Sequence, residues 1–250
     1  MATVNFISST AELSRVLATL TIAPTSLPSL YNDVKGANLS RHGTISLLTL
    51  YDHPASKVYL IDVHTLGLST FTAPAEASPS GSPVFFDVRN DSDALFSLFG
   101  VNLKCIHDLQ LIQLATTHPR RRAFVSGLEW CIQSDASLTY GQQQESERIK
   151  KLGKELFAPE RGGTYEVFNE RPLRPEIEKY CVQDVLHMPT LWCVYNGKLT
   201  NPFWVWVVRE DTEMRVRESQ TPGYVPNGPH KRVGWRADDI EQARNRWENQ

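Results

Sequence analysis

Three β-like runs stand in close succession near the start of the chain, Ser29 to Val34, Thr44 to Tyr51 and Lys57 to Val63. The links between them, the turn-rich Gly36 to Gly43 and Asp52-His53-Pro54, leave no room for a helix to cross a sheet face, so an antiparallel meander is expected. Downstream the order changes. Val84-Phe85-Phe86 reads as a buried strand leading into a helix from Asp91 to Leu98 that Gly100 closes, and a strand around Leu103 to Ile106 leads into a helix from Asp108 to about Thr117. Strand-helix alternation of that kind builds parallel pairs. A meander joined to a parallel half predicts a mixed β-sheet flanked by helices, an α/β fold.

The flanks of this pattern are helical. Residues 4–7 look like a short strand, and Ser9-Thr10-Ala11-Glu12 is a capping box opening a helix with Leu13, Val16, Leu17 and Leu20 on one side, ended by Pro24 and Pro28. A Pro/Ser/Gly/Ala-rich stretch runs from Ala73 to Pro83. Further helices are expected over Phe124 to Ile132, Glu145 to Phe157, Pro175 to about Gly197 and Pro202 to Ser219, with Gly162-Gly163 breaking the series. Residues 221–235 read as an extended basic arm before a last short helix. At 250 residues the chain fits one core with additions. We divide it into residues 1–200 and a C-terminal extension, 201–250.

A formal charge of −2 excludes a polycation, so any nucleic-acid contact has to be a local patch, with Arg120-Arg121-Arg122 and His230-Lys231-Arg232 as the candidates. The four cysteines, Cys105, Cys131, Cys181 and Cys193, form no CxxC pair and lie in apolar runs, which fits buried free thiols in a reducing compartment. No apolar stretch approaches ~20 residues, and the first residues lack the pattern of a secretory leader. An intracellular protein, of cytoplasm or nucleus, that spans no membrane is the expectation. The seven histidines show no metal-ligand spacing.

Chemistry concentrates in three places. Asp33 lies on a strand flanked by apolar residues, where a carboxylate is costly unless paired or holding a metal. Asp91 opens a helix at the carboxyl end of a strand, where open α/β sheets place ligands. Tyr180 and Asp184 share one helix face through their four-residue spacing. Three converging acids and a phenol suit phosphodiester hydrolysis by two divalent ions about 4 Å apart.

The order and spacing of these elements resemble the RNase D-like 3′-5′ exonucleases of the DEDDy type, over about residues 25–200. That family's Asp-x-Glu motif is matched by Leu30-Tyr31-Asn32-Asp33-Val34-Lys35, with Lys35 in place of the Glu. Its second motif is similar to Val84-Phe85-Phe86-Asp87-Val88-Arg89-Asn90-Asp91, with Asp91 at the matching position and Asp87 and Asp108 as rivals. Its Tyr-x-x-x-Asp motif is matched by Tyr180 and Asp184. The resemblance implies a ribonuclease H-like mixed sheet with a helical C-terminal extension. It implies Asp33, Asp91 and Asp184 as ligands of Mg²⁺ or Mn²⁺, Tyr180 positioning the attacking water, and the single-stranded 3′ end of RNA or DNA as partner. Arg41 and His42 beside the first motif, and Lys231 and Arg232 in the arm, are the candidate nucleic-acid contacts.

Lys35 divides the functional readings. A Glu there completes one metal cage; an ammonium among carboxylates stays charged and displaces ions. The first expectation is a nucleic-acid-binding exonuclease-type domain whose hydrolysis is weak or lost, with a Lys35/Asp33/Asp184 cluster preserving the fold without metal. The alternative is an inactive RNA-adaptor or protein-interaction module that binds its partner through the C-terminal region. A third is a nuclease that recruits Asp87 around one ion. The bland readings are Asp33 paired with Arg41, Asp91 as a helix cap, and Tyr180 as a buried aromatic.

Overall fold

The computed structural model describes residues 2–20, 27–72 and 82–249. Pro24 and nearly all of the Ala73 to Pro83 stretch lie outside the described residues. A six-stranded mixed sheet forms the centre: β1 (Thr3–Ile7), β2 (Leu30–Lys35), β3 (Leu47–Asp52), β4 (Lys57–Ile61), β5 (Val84–Phe85) and β6 (His107–Asp108), in the spatial order β1-β4-β3-β2-β5-β6. The meander β2-β3-β4 is antiparallel, while β1 pairs β4, and β5 pairs both β2 and β6, in parallel. This is the α/β arrangement expected from the strand pattern.

Helices cover the sheet. The first is α1 (Thr10–Thr19), capped by Ser9, whose hydroxyl accepts from the Glu12 amide at 3.3 Å. Two single turns follow, α2 (Val63–Leu66) and α3 (Ser69–Thr72). Then come α4 (Arg89–Phe99), ended by Gly100 at φ 70°, a left-handed conformation that glycine adopts without cost, and α5 (Leu109–Thr116). The helical half comprises α6 (Leu128–Asp135), α7 (Tyr140–Phe157), α8 (Pro175–Leu186), α9 (Met188–Asn196), α10 (Pro202–Ser219) and α11 (Ala237–Glu248). Among the described residues no helix is long and apolar enough to cross a membrane.

Several local expectations need correction. The strand placed at Leu103 to Ile106 forms just after that stretch, at His107 and Asp108, because Cys105 takes a left-handed φ of 52° and turns the chain before it. The helix expected from Pro175 to Gly197 is two, α8 and α9, broken at His187; Pro189 sits in the first turn of α9, where its missing N–H costs nothing. The arm is not extended. It folds back on the body through the turn Pro229–Arg232, a bridge between Val233 and Phe124, and Trp235 stacked on Trp204 at 5.3 Å. All four thiols are free, but only Cys131 and Cys181 are buried; Cys105 and Cys193 are exposed. Burial on one side of a helix or a turn decides which, and the apolar character of the surrounding run did not.

The pleat of β2 sends Tyr31, Asp33 and Lys35 to one face and Leu30, Asn32 and Val34 to the other. Tyr31 enters the main apolar cluster with Ile177, Cys181 and Val185 of α8, so the face carrying Asp33 and Lys35 is the one that α8 covers. On the far side of the sheet edge, α10 packs on α4 and α5. Its Arg215 reaches Asp108 at 2.6 Å.

Candidate active site

Asp33 lies on the central strand and Asp184 on the helix above it, and both carboxylates are occupied by ammonium groups. Lys35 Nζ stands 2.9 Å from Asp33 Oδ2 and 3.1 Å from Oδ1, the second contact having hydrogen-bond geometry, and 3.0 Å from Asp184 Oδ2. A second lysine completes the cluster. Lys150 of α7 donates to Asp184 Oδ1 from a side chain that is only 6% exposed. Two carboxylates and two ammoniums therefore alternate across the site and sum to zero charge. The ring of Tyr180 packs over both cations, its centroid 5.3 Å from Lys35 Nζ and 4.4 Å from Lys150 Nζ.

The neighbouring elements hold this arrangement in register. Gln183 donates to Ser146 Oγ at 2.8 Å, locking α8 to α7 beside the Lys150-Asp184 pair. Gly153 lies under Tyr180: a Cβ there would stand 2.5 Å from the ring, so the glycine is what lets the phenol reach its place. Serine, lysine, glycine and Phe157 at 146, 150, 153 and 157 form one face of α7 turned towards α8.

Electrostatics follow from the packing. Burial works to raise the pKa of Asp184, but Lys150 and Lys35 outweigh it and hold the carboxyl below its ordinary value. Burial likewise opposes the charge on Lys35, and Asp184 and Asp33 reverse the balance, holding its ammonium form to well above the usual lysine range. For Asp33 burial wins over Lys35 and the value rises. Burial also pushes the Tyr180 phenol up, with Asp184 adding to the effect.

Asp91 stands apart from this cluster. It lies in the first turn of α4, not at the cap, is 7% exposed, and among the described residues its carboxyl has no hydrogen-bond or ion-pair partner. Burial, reinforced by Asp33, pushes its value well above that of an ordinary carboxyl, which favours the protonated form. The two rivals are committed elsewhere. Asp87 is held by Arg89 at 2.5 and 2.8 Å, and Asp108 caps α5 through the Gln110 amide at 3.0 Å while accepting from the amides of Asp87 and Val88.

Beside the cluster opens a cleft of about 340 Å³. Lys35 and the rings of Tyr180, Phe157 and Tyr165 line one part of it, and the amides of Asn38, Asn90 and Asn227 another. Asn227 comes from the arm, and Lys231 of the arm donates to Asn90 Oδ1, as does the Tyr224 hydroxyl at 3.1 Å. Arg232 and His42 are exposed. Arg41 neither pairs with Asp33 nor faces the cleft with a free guanidinium: it binds Asp93 at 2.7 Å and the carbonyls of Ser219 and Pro222 at 2.7 and 3.1 Å.

No protein-family model and no curated protein sequence matches the chain. Solved structures do. RNase D of Trypanosoma brucei in complex with RNA U12 matches 97% of this chain and 79% of its own, at 20% identity and a TM-score of 0.73. The fold is that of the RNase D exonucleases. Escherichia coli RNase D, an exoribonuclease involved in structured RNA processing, matches 88% of this chain and 51% of its own at 15% identity and a TM-score of 0.58. Brucella melitensis NrnC bound to pGG matches 92% and 98% at 14% identity and a TM-score of 0.59.

Within this RNase D fold, Lys150 and Gly153 belong to no sequence motif, so motif spacing does not locate them. The signal available was the α7 face itself. A lysine between Ser146 and Gly153, on a face otherwise made for packing, is out of place unless a buried acid receives it.

Proposed function

We propose that this chain is a nucleic-acid-binding domain of RNase D fold in which two lysines hold the carboxylates and phosphodiester hydrolysis is lost. The observation that carries this reading is the double occupation of Asp184, by Lys35 on one oxygen and Lys150 on the other. Two-ion hydrolysis requires several ionised oxygens free to bind the metals. Here Asp33 and Asp184 are paired, and Asp91 is biased towards its protonated form. Among the described residues no three His, Cys, Asp or Glu side chains are placed to share an ion. The donor set does not fit the Mg²⁺ or Mn²⁺ centre that the sequence resemblance implies.

What the site retains is the means to receive a strand end. Neutralising Asp33 and Asp184 removes the negative charge that would repel a phosphate. The rings of Tyr165 and Phe157 offer stacking faces, and the three asparagine amides offer donors and acceptors to a base or sugar. A single-stranded 3′ end in this cleft would meet binding groups without an activated water.

The experiment compares the wild-type chain with Lys35→Glu and with Lys35→Glu/Lys150→Ala for release of nucleoside monophosphates in Mg²⁺ or Mn²⁺. No release by the wild type is expected, together with salt-dependent binding of single-stranded RNA. Wild-type hydrolysis equal to that of the variants defeats the loss of activity. Absence of salt-dependent binding turns the reading to a protein-interaction module.

A further inference from the structure

A second pocket, sharing no residue with the active-site cleft, lies where the C-terminal end of α5, the helix α6 and the segment after α9 meet. Its volume is about 260 Å³. Trp130, half exposed at 50%, forms one wall, and Arg121, His118 and Lys198 border it, all exposed. Gln113 also lines it. That residue is 4% exposed, yet among the described residues its Oε1 has no hydrogen-bond partner. A buried amide oxygen without a donor costs about 1–3 kcal/mol, so such atoms call for an explanation.

We infer that this pocket binds a nucleotide of a single-stranded nucleic acid, with the base against Trp130 and the phosphate between Arg121 and Lys198. An exposed indole beside paired cations is the combination by which single strands are held without sequence preference, through stacking and charge. Among the described residues neither Arg121 nor Lys198 takes part in an ion pair, so both charges are available. The acid at the rim, Asp135, accepts from the Tyr195 hydroxyl at 2.7 Å. The negative end of α5 is also covered: Arg122 donates to the carbonyls of Ala115 at 2.8 Å and Thr117 at 3.0 Å. The unpartnered Gln113 oxygen is the acceptor that an exocyclic amino group of a base would fill.

The site is tested on the full chain with a labelled single-stranded oligoribonucleotide followed by fluorescence anisotropy. Trp130→Ala raises the Kd about tenfold, and Trp130→Phe, which keeps a stacking face, raises it less than about threefold. Wild-type affinity in Trp130→Ala overturns the site. Failure of the cleft reading is separated by titrating the chain with AMP and with inorganic phosphate while following the six tryptophan indole N–H resonances, Trp130 being assigned from its Phe variant. Movement of the Trp130 resonance that is larger with AMP than with phosphate upholds the pocket even if the cleft binds nothing. No movement, or equal movement with phosphate alone, overturns it.

Discussion

Replacing Asp184 by asparagine separates a lysine-filled site from a vacant metal cage by the sign of its effect. In a cage of unpaired acids, removing one negative charge relieves repulsion and stabilises the protein. Here the same change leaves Lys150, with a side chain 6% exposed, without its carboxylate, and Lys35, 18% exposed, with Asp33 alone. Breaking a buried pair by removing one partner costs about 3–5 kcal/mol, mostly the desolvation of the charge left behind. That is about a fifth or more of the stability of a typical domain, about 5–15 kcal/mol. In a chain of this length it lowers Tm by about 6–20 °C. The assay is urea and thermal unfolding at pH 7, with Lys150→Met added to Asp184→Asn as the second arm; deleting the orphaned ammonium should recover part of the loss. Unchanged or increased stability in Asp184→Asn rules out a lysine-filled site, because it means the lysines do not offset their desolvation through this carboxylate.

Two further outcomes follow from neighbouring residues. Gly153→Ala should destabilise the chain by about 1–3 kcal/mol through overpacking against the Tyr180 ring, although alanine gains up to about 1 kcal/mol in helix propensity; urea melts decide, and a stabilised variant removes the steric role of the glycine. Asp91→Asn should stabilise at pH 7 and lose that advantage as the pH falls to about 4. The folded value of Asp91 is raised, so the wild-type acid costs stability above the unfolded value near 4 and nothing below it. A gain that persists unchanged at low pH shows that Asp91 is not the group responsible.

The sheet was legible because its links are diagnostic: short turns between β2, β3 and β4 allow only an antiparallel meander, and strand-helix alternation forces the parallel half. Asp33, Lys35, Tyr180 and Asp184 were legible through spacing within single elements, which the structure brings together. What was not legible depends on contacts between elements. Lys150 meets Asp184 across 34 residues of sequence, and nothing local announces that meeting. Arg41 looked like a cation beside the first motif and serves as a tie to Asp93 and the end of α10, a role set by where α10 lands. The basic arm gave the signature of a loop, rich in Pro and Gly, but sequence period carries no information about the bridge to Phe124 that folds it down.

Asp108 gathers two backbone amides from the link between β5 and α4, one from the start of α5, and Arg215 from α10. Its side chain is fully buried, and its cation arrives 107 residues later in the chain. During synthesis, therefore, the strand and helix that frame Asp91 emerge from the ribosome long before the charge that neutralises their junction. The buried carboxylate at the β5–β6 edge therefore has no cation until α10, in the last fifth of the protein, is free to dock.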